Sequence, residues 1–188
     1  MNAVTISRTP EKLGLRVEDY LRLDQAGAYD GYGKTELIEG DVYAMNAQYS
    51  RHARIKTRLA GVLNQALATL GGTLEAIVEV SITLSEDSMP EPDISVISYA
   101  GNDPAPASTV ALVVEVSDTT LAIDLGRKAA LYARHGIPEY WVVDVENRVV
   151  HQMWLPSDTG FANICQIPFG TSITASTLGQ LTIPTTDF

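Results

Sequence analysis

The chain has 188 residues, one cysteine, and a formal net charge of −10 from 13 Lys+Arg against 23 Asp+Glu. That length suits one domain, 1–188, with a substantial core. No run of about 20 apolar residues reads as a membrane span, and the acidic balance argues against broad, nonspecific binding to nucleic acid while suiting a carboxylate metal site. The start, Met1 to Arg8, has no signal-peptide core, and the single Cys165 excludes an internal disulfide, so a cytoplasmic protein is expected.

Residues 1–16 read as an N-terminal arm, with Leu13 and Leu15 available to dock. Val17 to Ala26 suits a short helix presenting Val17, Tyr20 and Leu21 on one side. Gly27 to Lys34, with three glycines, is a loop. Thr35 to Tyr43 reads as a hairpin turning at Glu39-Gly40-Asp41. Ser50 is placed as the cap of a helix of about 20 residues. In it Ile55, Leu59, Val62, Leu63, Ala66, Leu67 and Leu70 recur at helical spacing, and Gly71-Gly72 ends it. His52 lies one turn before Ile55 and Lys56.

Leu74 to Leu84 alternates as a strand should. Pro92 to Ile97 is a second strand, expected to pair back on the first. Gly101 to Ser108 is a proline- and alanine-rich loop. Val110 to Val116 is apolar on both alternating faces, the mark of a strand covered on both sides. Helix signals follow from about Ile123 to His135, capped by Gly136 with Pro138 beyond. Glu139 to Asp144 is the next strand, so the unit is βαβ. Arg148 to Leu155 pairs back on it as a hairpin, 161–169 adds an edge strand and 178–183 a last short one. The fold class is therefore α/β.

Glu115 sits inside the most apolar strand. A buried carboxylate costs several kcal/mol unless it is protonated, paired or bound to a metal. On the following helix Leu125, Ala129, Leu131, Tyr132 and Ala133 form the apolar face, and Asp124, Lys128 and His135 fall within it. Glu115 and Lys128 are thus able to approach one another. Asp93 is 22 positions before Glu115, and hairpin-like strands bring such residues side by side. Two carboxylates suit Mg²⁺ or Mn²⁺. An ion there would activate a water against a phosphodiester, and a nearby lysine would orient it or stabilise the developing charge.

These features resemble the PD-(D/E)xK nuclease superfamily, and more closely a restriction-endonuclease branch of it. The resemblance runs from about Val17 to Leu155. It rests on Glu36-Leu37-Ile38-Glu39-Gly40, His52, Pro92-Asp93 and Val114-Glu115-Val116-Ser117. It rests also on Asp124 with Lys128 and on Gly136-Ile137-Pro138-Glu139-Tyr140-Trp141. It implies a restriction-endonuclease-like core, a mixed β-sheet flanked by helices, with metal ligation by Asp93 and Glu115 and a further ligand in Glu36. It departs from the superfamily pattern at Ser117, where a lysine is expected; the branch implies that Lys128 takes that role. The resulting expectation is a Mg²⁺- or Mn²⁺-dependent endonuclease acting on DNA. Asp93, Glu115, Lys128 and Asp124 are its catalytic set, and a homodimer would cut both strands.

Plainer readings stand beside these. Asp93 could face water at a strand start, and Glu36 could be an exposed strand carboxylate. Glu115 and Lys128 could form a structural ion pair, or Lys128 could snorkel to solvent. Asp124 could cap a helix. Glu79 lies on an alternating strand that could put it on either face. Arg51, Arg54, Lys56 and Arg58 suit a solvated helical face as well as phosphate contacts. His52 suits a core edge, His135 a helix end, and Cys165 a small buried hydrophobe. Met153 and Trp154 fit sheet packing or an interface. The alternatives in function are a nuclease-fold binding module without activity and a phosphoesterase for small nucleotides.

Overall fold

The strand Val110–Ser117 is buried along nearly its whole length because layers cover both of its faces. The computed structural model describes residues 10, 12–45 and 49–186. The elements run α1 (Val17–Gln25), β1 (Thr35–Ile38), β2 (Asp41–Ala44), α2 (Ser50–Leu70), β3 (Glu75–Val78), β4 (Ile82–Thr83), β5 (Ile94–Ile97), β6 (Ala105–Pro106) and β7 (Val110–Ser117). Then come α3 (Leu121–Ile123), a π-helical segment (Asp124–Lys128) and α4 (Ala129–Arg134), continuous with one another. The chain closes with β8 (Glu139–Asp144), β9 (Val149–Ser157), β10 (Gly160–Pro168), β11 (Ser172–Thr174) and β12 (Thr182–Pro184).

Six strands form the central sheet in the order β10-β9-β8-β7-β5-β3. β7 and β8 are parallel, as the βαβ pattern predicts, and the other neighbours are antiparallel. Strand alternation sorts the apolar residues into two cores. Leu112, Val114 and Val116 of β7 face α2, packing with Ile55, Leu59 and Leu63 and with Ile173 and Ile183 of the β11–β12 ribbon. Val113 faces the other way, toward Ala129, Tyr132 and Ile137, and Val110 joins it where the β5–β7 register is irregular. Glu115 shares that second parity, so its side chain points to the α3–α4 layer.

Turn chemistry matches the sequence at two places. Glu39 (φ 51°) and Gly40 (φ 79°) form the two-residue turn between Ile38 and Asp41, both in the left-handed region. Gly136 (φ 73°) ends α4. Its N–H donates to Ala133 O and that of Ile137 to Tyr132 O, which is a Schellman motif.

Several expectations are corrected. The Leu74–Leu84 run is not one strand: Glu79 (φ 55°) ends β3, and β4 pairs instead with β6 in the expected loop. The cause is local, because the Glu79 N–H donates to Asp93 O at 3.2 Å and its carboxylate pairs with Lys34 and Lys56. Ser50 is the first helical residue and Tyr49 occupies the N-cap, with no side-chain cap. β11 was not anticipated, and the final strand is Thr182–Pro184, its partner. Cys165 is only half-buried on edge strand β10, where its thiol meets Gln152 Oε1 at 3.5 Å. Lys56, expected on a solvated face, is buried. His135 is at the α4 C-cap, as expected, and burial, reinforced by Arg134, lowers its pKa. Met153 belongs to the core. Of the expected arm, residues 1–9 and 11 lie outside the described residues; Leu15 packs beside Tyr20, Leu37 and Met89, while Leu13 is exposed. Among the described residues no helix is long and apolar enough to cross a membrane.

Candidate active site

Asp93 immediately precedes β5. In the β5–β7 register Ile94 faces Val114, so the next position outward sets Asp93 beside Glu115. Side-chain-to-backbone bonds lock the pair: Asp93 N–H donates to Glu115 Oε2 at 3.3 Å, and Val116 N–H donates to Asp93 Oδ2 at 2.8 Å. Their spacing of 22 residues is thus the length of an antiparallel return.

Lys128 reaches Glu115 from the helical layer. Its Nζ donates to Glu115 Oε1 at 3.0 Å and stands 3.6 Å from Glu36 Oε2. All three are nearly inaccessible, each 4% exposed. The π-helical turn helps to build this. It spans Asp124 to Lys128, and π-turns are found mainly at functional positions in helices. The Ala129 N–H closes back to Asp124 O, which also accepts a bond from Tyr140 Oη at 3.1 Å. Asp124 and Lys128 are both buried as a result.

Glu36 sits on β1, and its Oε2 also accepts the Glu91 N–H at 3.3 Å. It therefore lies across the Lys128 ammonium from Glu115. Asp124 takes its direct hydrogen bond from Thr120 Oγ1 at 2.6 Å, and acts on Lys128 through its charge. Ser117, at the superfamily's lysine position, is buried and 3.4 Å from the Thr120 hydroxyl.

Two site residues went unassigned in the sequence. Tyr132, read only as apolar-face packing, donates its hydroxyl to Glu115 Oε1 at 3.0 Å. The available signal was its place four residues after Lys128, since a buried tyrosine hydroxyl needs a partner. Lys56 stands 3.5 Å from Asp93 Oδ1 and pairs with Glu79, which also bonds Lys34. It lies one turn after His52, whose Nε2 is 3.1 Å from Asp93 Oδ2.

Electrostatics follow from this crowding. Burial pushes the Glu115 carboxyl up to about 8, reinforced by Asp93, Asp124 and Glu36 and opposed by Lys128. Glu115, Glu36 and Asp124 together overcome the burial of Lys128 and raise its pKa, so it stays charged. Burial opposes ionisation of Asp93, but His52, the Val116 N–H and Lys56 hold it below the usual carboxylate range.

The cluster forms the floor of a cleft of about 750 Å³. Ile38, Tyr43, Met45, Tyr49, Val116 and Ile123 contribute its walls, with Asp118, Thr119 and Arg127. Asp93 and Glu115 supply hard oxygen donors, the kind that Mg²⁺ and Mn²⁺ take. Acidic side chains outnumber cationic ones around the floor, and they reinforce the burial that raises the Glu115 pKa. Two carboxylates held side by side in this way fit a divalent ion of that kind. Among the described residues no group of three or more His, Cys, Asp and Glu side chains is gathered as a metal cage.

A mixed sheet with a β-hairpin return, a parallel crossover and a carboxylate–lysine floor defines a protein of the restriction-endonuclease-like class. The chain belongs to the Uma2 family, described as "Putative restriction endonuclease", whose model matches residues 17–185. It is also similar to a crystal structure described as a "putative nuclease" from Anabaena variabilis. The two share a TM-score of 0.64 at 15% identity, covering 88% of this chain and 91% of the other. At that identity the likeness concerns the fold. No curated protein matches the chain.

Proposed function

We propose that the protein is a divalent-metal-dependent endonuclease that hydrolyses phosphodiester bonds in DNA. The observation that carries this reading is the meeting of Asp93, Glu115 and Lys128, from three separate elements, at one cleft floor. Membership of a restriction-endonuclease family supports the reaction class.

Asp93 and Glu115 would hold the ion. Mg²⁺ is commonly held by one or two carboxylates, with waters and substrate phosphate completing its shell, so the pair suffices. Bound there, the ion would polarise the phosphodiester and lower the pKa of an attacking water. Glu36 is closer in role to Lys128 than to the ion, because its oxygen faces the ammonium.

The chain's own groups do the rest. Lys128, its pKa raised by the carboxylates around it, acts as a charged donor to a phosphate oxygen or to the water. Asp124 and Glu36 hold that charge in place. Tyr132 fixes the Glu115 oxygen that Lys128 also uses. His52, Lys56 and the Val116 N–H keep Asp93 ionised and aimed.

The test is cleavage of labelled single- and double-stranded DNA by purified protein with Mg²⁺ or Mn²⁺. Asp93→Ala and Lys128→Ala should abolish it. Absence of hydrolysis by the wild type on every substrate overturns the enzyme reading.

One observation favours a second reading. Lys128, Glu115 and Tyr132 already satisfy one another, as a purely structural network would. The protein is then a nuclease-fold binding module. Calorimetric titration with Mn²⁺ separates the two, because only a metal site loses binding in Asp93→Ala.

A further inference from the structure

We infer that the cleft takes its DNA as a single strand, with an unpaired base lying against the Tyr43–Tyr49 wall beside the scissile phosphate. This rests on the nuclease reading for the phosphate position, and adds the state of the substrate.

The walls carry the argument. Above the charged floor, the cleft walls include Tyr43, Tyr49 and Ile123. Tyr49 is 71% exposed and Ile123 53% exposed, both at this one cleft. Large side chains left in water at the mouth of a reactive site need a partner. Aromatic rings on which unstacked bases lie are the usual means of holding single strands, since every base has a π-face. The Tyr43 ring is already paired on one side with the Arg127 guanidinium, 4.4 Å from its centroid. That stacked pair extends the flat surface offered to a base. The volume, about 750 Å³, falls in the range of sites that enclose a ligand of nucleotide size.

The charge pattern points away from a continuous duplex. Tight duplex binding draws on many phosphate contacts from Lys and Arg. Here Asp118 and Asp124 line the cleft, and its arginine, Arg127, is shared with Glu39. The whole chain carries −10. The reacting groups lie at the bottom of the cleft, with Asp93 8% exposed and Glu115 4%. A strand freed from its complement can bring a phosphate to that depth and turn its base to the wall. One site is then enough, and twofold assembly is not required for a cut.

The experiment is fluorescence anisotropy in EDTA with a labelled single strand, the same strand in a blunt duplex, and a strand of abasic spacers. Cleavage of the first two with Mn²⁺ runs in parallel. The single strand should bind at least tenfold more tightly than the duplex. Loss of the bases should remove most of that affinity. Tyr49→Ala should weaken single-strand binding about tenfold, and Tyr49→Trp should restore it; Tyr49 is exposed, so its replacement spares the fold. Duplex binding as tight as single-strand binding overturns the inference, as does an abasic strand bound equally well or a silent Tyr49→Ala. Cleavage of duplex at the single-strand rate also overturns it, while leaving the nuclease reading in place. Base-dependent single-strand binding without any cleavage does the reverse.

Discussion

Lys128 and Glu115 lie 3.0 Å apart, the lysine on a π-turn above the sheet and the glutamate on its central strand. A charged hydrogen bond of this length in a nearly inaccessible place constrains both partners. Replacing Lys128 by Ala removes a cation that Glu115, Glu36 and Asp124 all face. Glu115 already favours its protonated form at neutral pH, so it is not left as a bare buried charge, which limits the damage. A stability loss of about 1–3 kcal/mol is expected, the size of a buried group left unsatisfied, together with loss of detectable cleavage. Chemical denaturation and a cleavage assay on the same preparation check this. A variant that still cuts removes Lys128 from the reaction.

Asp93→Asn keeps the shape of the side chain and an acceptor for the Val116 N–H. It removes the charge that a divalent ion needs. Mn²⁺ binding should weaken at least tenfold in calorimetry while the melting temperature stays within a few degrees. Unchanged affinity would show that the ion, if any, binds elsewhere.

Glu115, with its pKa pushed up to about 8, is mostly protonated at neutral pH in the metal-free protein. Ligation needs the carboxylate, so an ion must displace that proton. Mn²⁺ binding should release close to one proton at pH 7 and almost none above pH 9. Calorimetry in buffers of different ionisation enthalpy measures it directly. The same shift has a sign for stability. A carboxyl whose folded pKa exceeds its unfolded value stabilises fully below the unfolded pKa, near 4.5, and that contribution is lost as pH rises through about 8. In the Glu115→Gln variant this part of the pH dependence should disappear.

Glu139 is another buried carboxylate, with a different environment. On β8 it accepts Trp141 Nε1–H and Gln152 Nε2–H at 2.7 Å and the Thr177 N–H at 2.8 Å, with further bonds from the Ser176 N–H and the Thr177 hydroxyl. It ties the segment after β11 to the sheet, away from the cleft. Glu139→Leu should strand these donors and cost about 3 kcal/mol or more, lowering the melting temperature by roughly 6–12 °C for a chain of this size. Metal binding measured below that transition should be unaffected. A neutral outcome would mean that the Ser176–Thr177 segment is held by its apolar contacts alone.

What the sequence determined by itself was whatever local periodicity and turn chemistry encode. The doubly covered strand at 110–117, the α2 stripe, the Glu39-Gly40 turn and the Gly136 stop follow from residue type and spacing. So does the pressure on Glu115, because an acid in an apolar strand must be compensated. Proximity across the fold was decided by tertiary structure. Whether Asp93 faced Glu115 or water depended on the antiparallel register of β5 against β7. Helical spacing alone put Lys128 on the inward face, but its 3.0 Å approach to Glu115 depended on how that layer, with its π-turn, packs on the sheet. Lys56 and Tyr132 joined the cluster through packing too: their partners lie 17 or more positions away, and only packing of the helical layers on the sheet brings such groups within reach. Glu79 shows the converse, where one left-handed residue, set by its bond to Asp93, ended a strand that alternation alone would have continued.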